Sequence, residues 1–286
     1  MLNINFDGNN IDFYDLSRFS IDNNIDLYDL LHTAFIQEAL VADEEKLLLN
    51  FIDSINNRSK VSKSQLFQDL FAAFIVDNSF NKTFLEFGAT DGISLSNSYM
   101  LENSLGWSGI LAEPSPQWHQ QLNINRPNST IIKDCIWKNS GEKLDFFVSN
   151  IGEYSTLVDF KHNDLSSMPN NTEARIKNGK VVKVETVSIN EVMETYFNGN
   201  SPSYVSIDTE GSEYEILNSL DFEKYRPVVF TIEHNFTNLQ NKIDLLMVSK
   251  GYSRVFRQIT SFDAWYVRTD AIKYWTWEVL EKFSEN

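Results

Sequence analysis

From about residue 64 onward the sequence predicts an α/β fold, a mostly parallel sheet with helices on both faces. Three observations carry that expectation. Short apolar runs alternate with stretches of helical periodicity. The first of those runs, Lys82-Thr83-Phe84-Leu85-Glu86-Phe87-Gly88, leads straight into a glycine turn that ends at Gly92. Acids stand at the ends of successive runs, at Glu86, Glu113, Asp134 and Asp208.

The chain before residue 63 reads differently. Leu27, Leu30, Leu31, Phe35 and Leu40, then Leu47, Leu48, Phe51 and Ile52, recur at roughly helical spacing. Residues 1–62 are expected to form a helical appendage that caps the core or joins copies of the chain into a homo-oligomer. Asn56-Asn57-Arg58-Ser59 is the loop expected to end it. Residues 66–76 predict a buried amphipathic helix. That run is too short for a membrane span and carries Asp69.

The next elements follow in order. Residues 82–88 predict a strand, 97–103 a helix and 109–113 a second strand. Ser115-Pro116 reads as a helix start, with Ser as N-cap and Pro at the first position. Residues 129–134 predict a third strand and 144–148 a strand of an inserted hairpin. The polar, Asn-rich stretch 163–180 predicts a loop. Residues 181–187 alternate like a strand, and 204–208 read as a buried one. Ser212 with Glu215 forms a capping-box pattern for the helix after it. Residues 227–233 predict another buried strand. A helix over 239–249 and strands near 253–257 and 264–267 close the pattern.

Composition narrows the function. With 286 residues, 42% of them hydrophobic and 13% aromatic, one large domain with a packed core is expected, with residues 63–286 as its extent. Lys plus Arg is 24 against 40 Asp plus Glu, a net charge of −16. That balance argues against nucleic acid or an anionic membrane as the main partner. The one cysteine, Cys135, excludes an internal disulfide and a Cys-rich zinc site. The first residues show no basic region followed by an apolar run, so a cytoplasmic location is the simplest expectation.

Ligands of such sheets bind beyond the carboxyl ends of the strands, where strand order reverses. The loop Gly88-Ala89-Thr90-Asp91-Gly92 lacks the G-x-G-x-x-G spacing and any Lys or Arg. A pyrophosphate there would meet Glu86 and Asp91. A cationic, phosphate-free ligand is favoured, and S-adenosylmethionine, with its ammonium and sulfonium, fits. Glu113 is placed to accept hydrogen bonds from ribose hydroxyls and Asp134 from the adenine amino group. The candidate cofactor residues are Glu86, Gly88, Ala89, Asp91, Gly92, Asn97, Glu113, Pro114, Asp134, Cys135 and Asp208.

Several blocks resemble the FkbM-type S-adenosylmethionine-dependent methyltransferases. They are Ser64-Gln65-Leu66-Phe67-Gln68-Asp69, the stretch Phe84 to Gly92, Leu95-Ser96-Asn97-Ser98, Gly109-Ile110-Leu111-Ala112-Glu113-Pro114 and Ser206-Ile207-Asp208-Thr209-Glu210-Gly211-Ser212-Glu213. The resemblance covers about residues 64–268. It implies the class I methyltransferase fold, a Rossmann-like seven-stranded sheet with a reversed last hairpin. It also implies methylation of a hydroxyl on a sugar or related small molecule.

Such a transfer is an in-line displacement that needs an aligned hydroxyl and an acceptor for its proton. His234 is the first choice for general base, since its ordinary pKa is nearest neutrality, and Glu210 is the second. Asp208 is assigned to the methionine moiety or to substrate orientation. A divalent metal on Asp208, Glu233 and His234 is left open. Residues 150–157 are a candidate wall of an acceptor pocket; Tyr154 and Trp118 could stack on a sugar face, but core or surface packing is the preferred reading for each. The alternative reading is a catalytically silent module that keeps the same fold and cofactor pocket. A dehydrogenase is disfavoured by the acidic loop.

Overall fold

The computed structural model describes residues 4–6, 9–11, 48, 50–52, 54–55, 58–76, 79–162, 177, 179–257 and 259–271. Near the start, β1 (Ile4–Phe6) and β2 (Asn9–Ile11) pair antiparallel as a separate ribbon, Ile4 opposite Ile11. The helices expected around residues 27–40 lie outside the described residues, as do most of the loop expected at 163–180 and the tail after 271.

Helix α1 (Gln68–Ile75) precedes β3 (Thr83–Phe87). Helix α2 (Tyr99–Leu105), β4 (Ser108–Ala112), α3 (His119–Asn125) and β5 (Thr130–Ile132) follow. Next come β6 (Cys135–Trp137), β7 (Lys143–Val148), β8 (Thr156–Leu157) and β9 (Lys180–Ser188). Helix α4 (Ile189–Tyr196), β10 (Tyr204–Ile207), α5 (Glu213–Ser219) and β11 (Val229–Glu233) continue the alternation. Helix α6 (Leu239–Ser249), β12 (Tyr252–Val255) and β13 (Asp263–Arg268) complete it.

Seven strands form one sheet in the order β12-β13-β11-β10-β3-β4-β5. The five strands from β11 to β5 are parallel, and β13 runs antiparallel to both its neighbours. This is the seven-stranded sheet with a reversed last hairpin that the family resemblance implies.

Successive residues of the central strands enter opposite cores, as the two-residue period of a strand dictates. Phe84, Leu111, Tyr204 and Val229 face one core, with α1, α2 and α3. Leu85, Ile110, Val205 and Phe230 face the other, with α4, α5 and α6. A sheet covered on both faces explains why its strands read as nearly continuous apolar runs.

The described residues just before position 63 pack on the core, one of the two arrangements expected of that segment. Phe51 and Ile52 are fully buried in the first core. Phe51 stacks on Phe256 at 5.4 Å and meets Trp265 edge-on at 5.7 Å. Leu48, Phe51, Ile52 and Ile55 are thus part of the sheet's packing, and burying one such phenylalanine contributes about 1.5–3 kcal/mol. Two local expectations are replaced. Ser212 makes no capping bond to α5, and Glu215 lies at the surface 3.8 Å from Lys138. Helix α3 begins at His119 after a turn, and Ser115 does not cap it.

The run predicted as one strand over 129–134 ends early. Beyond β5, the chain enters a second sheet of order β6-β9-β7-β8. That sheet carries residues 151–157 over the carboxyl end of the main sheet, where a cavity opens.

Candidate active site

Strands β3 and β10 are parallel neighbours, Ser206 beside Glu86. After β3 the chain moves to β4 and β5 on one side, and after β10 to β11 on the other. A cavity of about 490 Å³ opens at this reversal. Its size is that of a small-molecule site.

Gly88 makes the crossing possible. Its φ is 71°, and a Cβ there would collide with the backbone carbonyl oxygen of Asp208. Only glycine meets both demands. Its N–H donates to the Ala112 carbonyl at 3.0 Å, which ties the loop to the end of β4.

Glu113 follows β4 and is only 4% exposed, yet it lines the cavity. Its carboxyl oxygens accept one backbone N–H each, from Thr90 at 2.9 Å and Ser115 at 2.7 Å. Carboxylate oxygens have further acceptor capacity, so hydroxyl donors in the cavity can be served. Burial pushes the Glu113 carboxyl up to about 7, against the pull of those two N–H groups and with help from the Asp208 charge. Pro114, Cys135, Ile136, Phe146 and Leu157 extend the cavity as an apolar slot. Burial raises the Cys135 thiol to about 12, so it stays neutral there.

The other predicted cofactor residues divide into those that face the cavity and those that build it. Gly88 and Asp208 line it, while Glu86, Ala89, Asp91, Gly92, Asn97 and Asp134 do not. Glu86 accepts hydrogen bonds from Ser96 Oγ at 3.0 Å, the Asn97 N–H at 2.7 Å and Ser98 Oγ. Burial raises its carboxyl, and Arg126 opposes the rise. Asp91 accepts from the N–H groups of Ile93 and Ser94 at 2.8 and 2.7 Å, closing its own turn. Asn97 donates to Ser206 Oγ at 3.0 Å, and its buried Oδ1 has no hydrogen-bond partner. Asp134 is exposed between β5 and β6.

At the other end, Asp208 follows β10 and Glu233 ends β11. Ile207 of β10 is registered with Ile232 of β11, so the next residues lie side by side. Their carboxyls lie beside one another, an oxygen of each within 4.8 Å. Burial raises Asp208 to about 6 and Glu233 well above the carboxylate range. Glu210 joins them, with one oxygen of each acid within 4.8 Å of the others. Glu210 has φ 60°, and Glu213 clamps the loop that carries it by accepting from the N–H groups of Thr209 and Gly211 at 3.0 and 2.9 Å.

His234, expected as general base, is placed otherwise. It is 3% exposed and is absent from the lining of the large cavity. Its Nδ1 accepts the Phe236 N–H at 3.0 Å, and Nε2 lies 3.1 Å from the Asp263 carbonyl oxygen. Burial and the Arg254 charge lower its pKa to about 4. Both nitrogens are engaged in holding a loop, so the ring does not present a base to the cavity. For the same reason Asp208, Glu233 and His234 do not converge as a ligand set.

Tyr154 lines the cavity, as the 150–157 reading expects, whereas Trp118 packs its ring on Gly152. Sequence reasoning gave no role to Gln65, Asn235, Phe236 or Phe262, which also line it. Gln65 stands in one of the resembling blocks, which was the available signal. Asn235 and Phe236 have φ 45° and 54°, a conformation that a phenylalanine does not announce in sequence.

Among solved structures, the chain is similar to a precorrin-6y C5,15-methyltransferase from Geobacter metallireducens GS-15. Identity is 11%, 70% of this chain and 85% of that chain are covered, and the TM-score is 0.37. It is also similar to a candidate RNA methyltransferase from Pyrococcus horikoshii, at 8% identity over 71% and 82% of the two chains, TM-score 0.34. A third likeness is to the CurJ carbon methyltransferase, at 8% identity over 79% and 61%, TM-score 0.33. No curated protein sequence matches. The family model of the methyltransferase FkbM domain matches residues 86–254, from the buried glutamate of β3 to β12 and more than half of the chain. With the sheet order and the cavity at its reversal, that match establishes that this chain belongs to the FkbM methyltransferase family.

Proposed function

We propose that the protein is an S-adenosylmethionine-dependent O-methyltransferase acting on a hydroxyl of a saccharide or a related small molecule. The observation that carries this reading is the charge of the cavity. Among the described residues, no Lys, Arg or His lines it, while Glu113, Glu153, Asp208, Glu210 and Glu233 do. Phosphate-bearing cofactors are repelled by that lining, and a donor with an ammonium and a sulfonium is favoured. The donor supplies an activated methyl group whose departure leaves a neutral thioether.

Glu113 is assigned to the ribose hydroxyls, and the slot at Cys135, Ile136, Phe146 and Leu157 to the adenine. Asp134 is no longer proposed for the adenine, because it stands outside the cavity. Gln65, Tyr154, Asn235 and Phe236 supply amide and aromatic surfaces on the acceptor side. Paired polar and flat apolar groups of this kind suit a ring that carries hydroxyls. The hydroxyl proton goes to a cavity carboxylate at the strand ends, Asp208 or Glu210, in place of His234.

The test has two arms. Calorimetric titration with S-adenosylhomocysteine and with NAD is expected to give binding for the first only. Transfer of labelled methyl from S-adenosylmethionine to a panel of free saccharides is expected to give an alkali-stable ether product. Binding of NAD in place of S-adenosylhomocysteine contradicts the cofactor assignment. A methylated carbon or amine product contradicts the O-methyl assignment.

A further inference from the structure

We propose that the acceptor saccharide carries a protonated amine, and that Glu153 is the residue that selects it. This rests on the methyltransferase reading above and names the class of acceptor within it.

The wall of the cavity comes first. Residues 149–155 connect β7 to β8, which pair antiparallel with Phe147 opposite Thr156. The connection is a tight turn. The Tyr154 N–H donates to the Ile151 carbonyl at 3.0 Å, and the Ser155 N–H to the Gly152 carbonyl at 3.2 Å. Ser155 Oγ accepts the Ser149 N–H at 3.1 Å and donates to the Gly152 carbonyl at 2.8 Å. On one side the Trp118 ring lies so close to Gly152 that a Cβ there would collide with it. On the other, the fully buried Thr156 donates from Oγ1 to the Glu210 carbonyl at 3.0 Å, which pins the wall to the loop after β10. A turn held from both sides keeps its side chains in place over the cavity.

Two of those side chains, Glu153 and Tyr154, line the cavity. The other lining acids have neighbours at the strand ends. Glu113 accepts two backbone N–H groups, and Asp208, Glu210 and Glu233 stand together within 4.8 Å. Glu153 is exposed, and among the described residues its carboxyl has no hydrogen bond or ion pair. It is the lining acid left for the acceptor. Tyr154 brings an aromatic ring to the same stretch of wall. A carboxylate beside an aromatic ring favours an ammonium over a neutral group of the same size.

The donor does not use up the negative charge of the site. Its ammonium and sulfonium, less its carboxylate, amount to one net positive charge. Against it stand five lining acids, with no lining Lys, Arg or His among the described residues. A phosphorylated or carboxylated acceptor is repelled by what remains. A neutral ring gains nothing from Glu153, whereas an ammonium gains a charge-assisted hydrogen bond.

The same pairing directs the chemistry. A protonated amine has no lone pair, so it takes no methyl group. A hydroxyl of the same ring remains the nucleophile. The C–S bond breaks with its electrons on sulfur, an oxygen lone pair forms the C–O bond, and the hydroxyl proton goes to a cavity carboxylate. The N–H bonds of the ammonium stay intact.

The test uses the full chain saturated with S-adenosylhomocysteine. It is titrated calorimetrically with glucosamine, galactosamine and the fully deacetylated glucosamine disaccharide. Each is compared with its N-acetyl and its hydroxyl counterpart, and glucuronate and glucose 6-phosphate represent anionic rings. At least one amine is expected to bind about tenfold or more tighter than both its counterparts, with the anions weakest. Raising the salt concentration is expected to shrink that preference. Glu153→Gln keeps size and hydrogen bonding but not charge. It is expected to bring the preference to within about threefold of parity, with S-adenosylhomocysteine bound as in the parent protein. Glu153→Lys supplies a second variant and is expected to admit glucuronate. Amines that bind no better than their counterparts overturn the inference, as does a panel in which none binds. A Glu153→Gln protein that keeps the preference overturns the role of Glu153. If that variant does not fold, the panel on the parent protein still decides the acceptor class, and Glu153→Lys the residue. Failure to bind S-adenosylhomocysteine has a separate meaning, since it overturns the methyltransferase reading itself.

Discussion

Glu86 and Glu113 make an informative pair. They stand at the ends of neighbouring parallel strands, both are nearly inaccessible, and both are acids that the sequence assigns to the same ligand. Around Glu86 the protein closes. Ser96, Ser98 and the Asn97 N–H fill its oxygens, and the fully buried Arg126 stands behind them. Arg126 reaches Glu102 at 2.6 Å, the Gly92 carbonyl at 3.1 Å, Ser96 Oγ at 3.2 Å and Ser98 Oγ at 3.0 Å. Around Glu113 the protein stays open. Two backbone N–H groups orient the carboxyl, and the cavity takes the rest. One region has a cation built in, and the other lacks one among its lining residues. A buried acid with a built-in cation supports the fold, whereas a buried acid without one is available to a cationic or hydroxyl-bearing ligand.

The sharpest way to break this contrast is to remove the built-in cation. Arg126→Met leaves Glu102 and Glu86 without their partner, and a loss of about 3–5 kcal/mol in chemical unfolding is expected. An unfolding midpoint that barely moves would mean that the closed network carries little. Next is Gly88→Ala, which affects both regions because the loop after β3 must pass under the Asp208 carbonyl. Backbone strain alone is expected to cost about 1–3 kcal/mol, with ligand binding lost as well. Glu113→Ala sharpens the contrast from the other side. S-adenosylhomocysteine binding is expected to weaken by about 1–3 kcal/mol in calorimetry, while unfolding stability changes little. Unchanged affinity would remove the ribose role.

The smallest expected effect is one of pH. Glu113 and Asp208 have folded-state pKa values near 7 and 6, above their ordinary values. The folded chain thus binds more protons than the unfolded one between about pH 4 and pH 7. Stability from these groups is present at low pH and is lost as pH rises toward about 7. The melting temperature of the ligand-free protein is expected to fall over that interval, and Glu113→Gln is expected to flatten the fall. A steeper fall in the variant would contradict the assignment.

The contrast also marks how far the sequence is legible. Strand–helix alternation locates every strand of the main sheet within a few residues, because strands buried on both faces are written as apolar runs. Strand ends give the acids, and the reversal of strand order locates the cavity. What the sequence does not reveal is which hydrogen bonds close around an acid. Glu86 and Asp91 read like Glu113 until Ser96, Ser98, Asn97 and the turn at Ile93 and Ser94 are placed. His234 is placed away from the large cavity's lining for the same reason, since the Phe236 N–H and the Asp263 carbonyl that engage it come from a loop and from a distant strand. Asp134 is lost because β6 leaves the main sheet for the second one, a choice decided by pairing with β9. Glu233, next to the favoured histidine, is the residue of the two that lines the large cavity.

The most direct test is a crystal structure of the full chain with S-adenosylhomocysteine. The ribose hydroxyls are expected on the Glu113 carboxylate, the adenine beside Cys135 and Phe146, and Glu86 still closed upon Ser96 and Ser98 without touching the ligand. A ligand bound through Glu86, or bound away from the reversal between β3 and β10, would contradict the account.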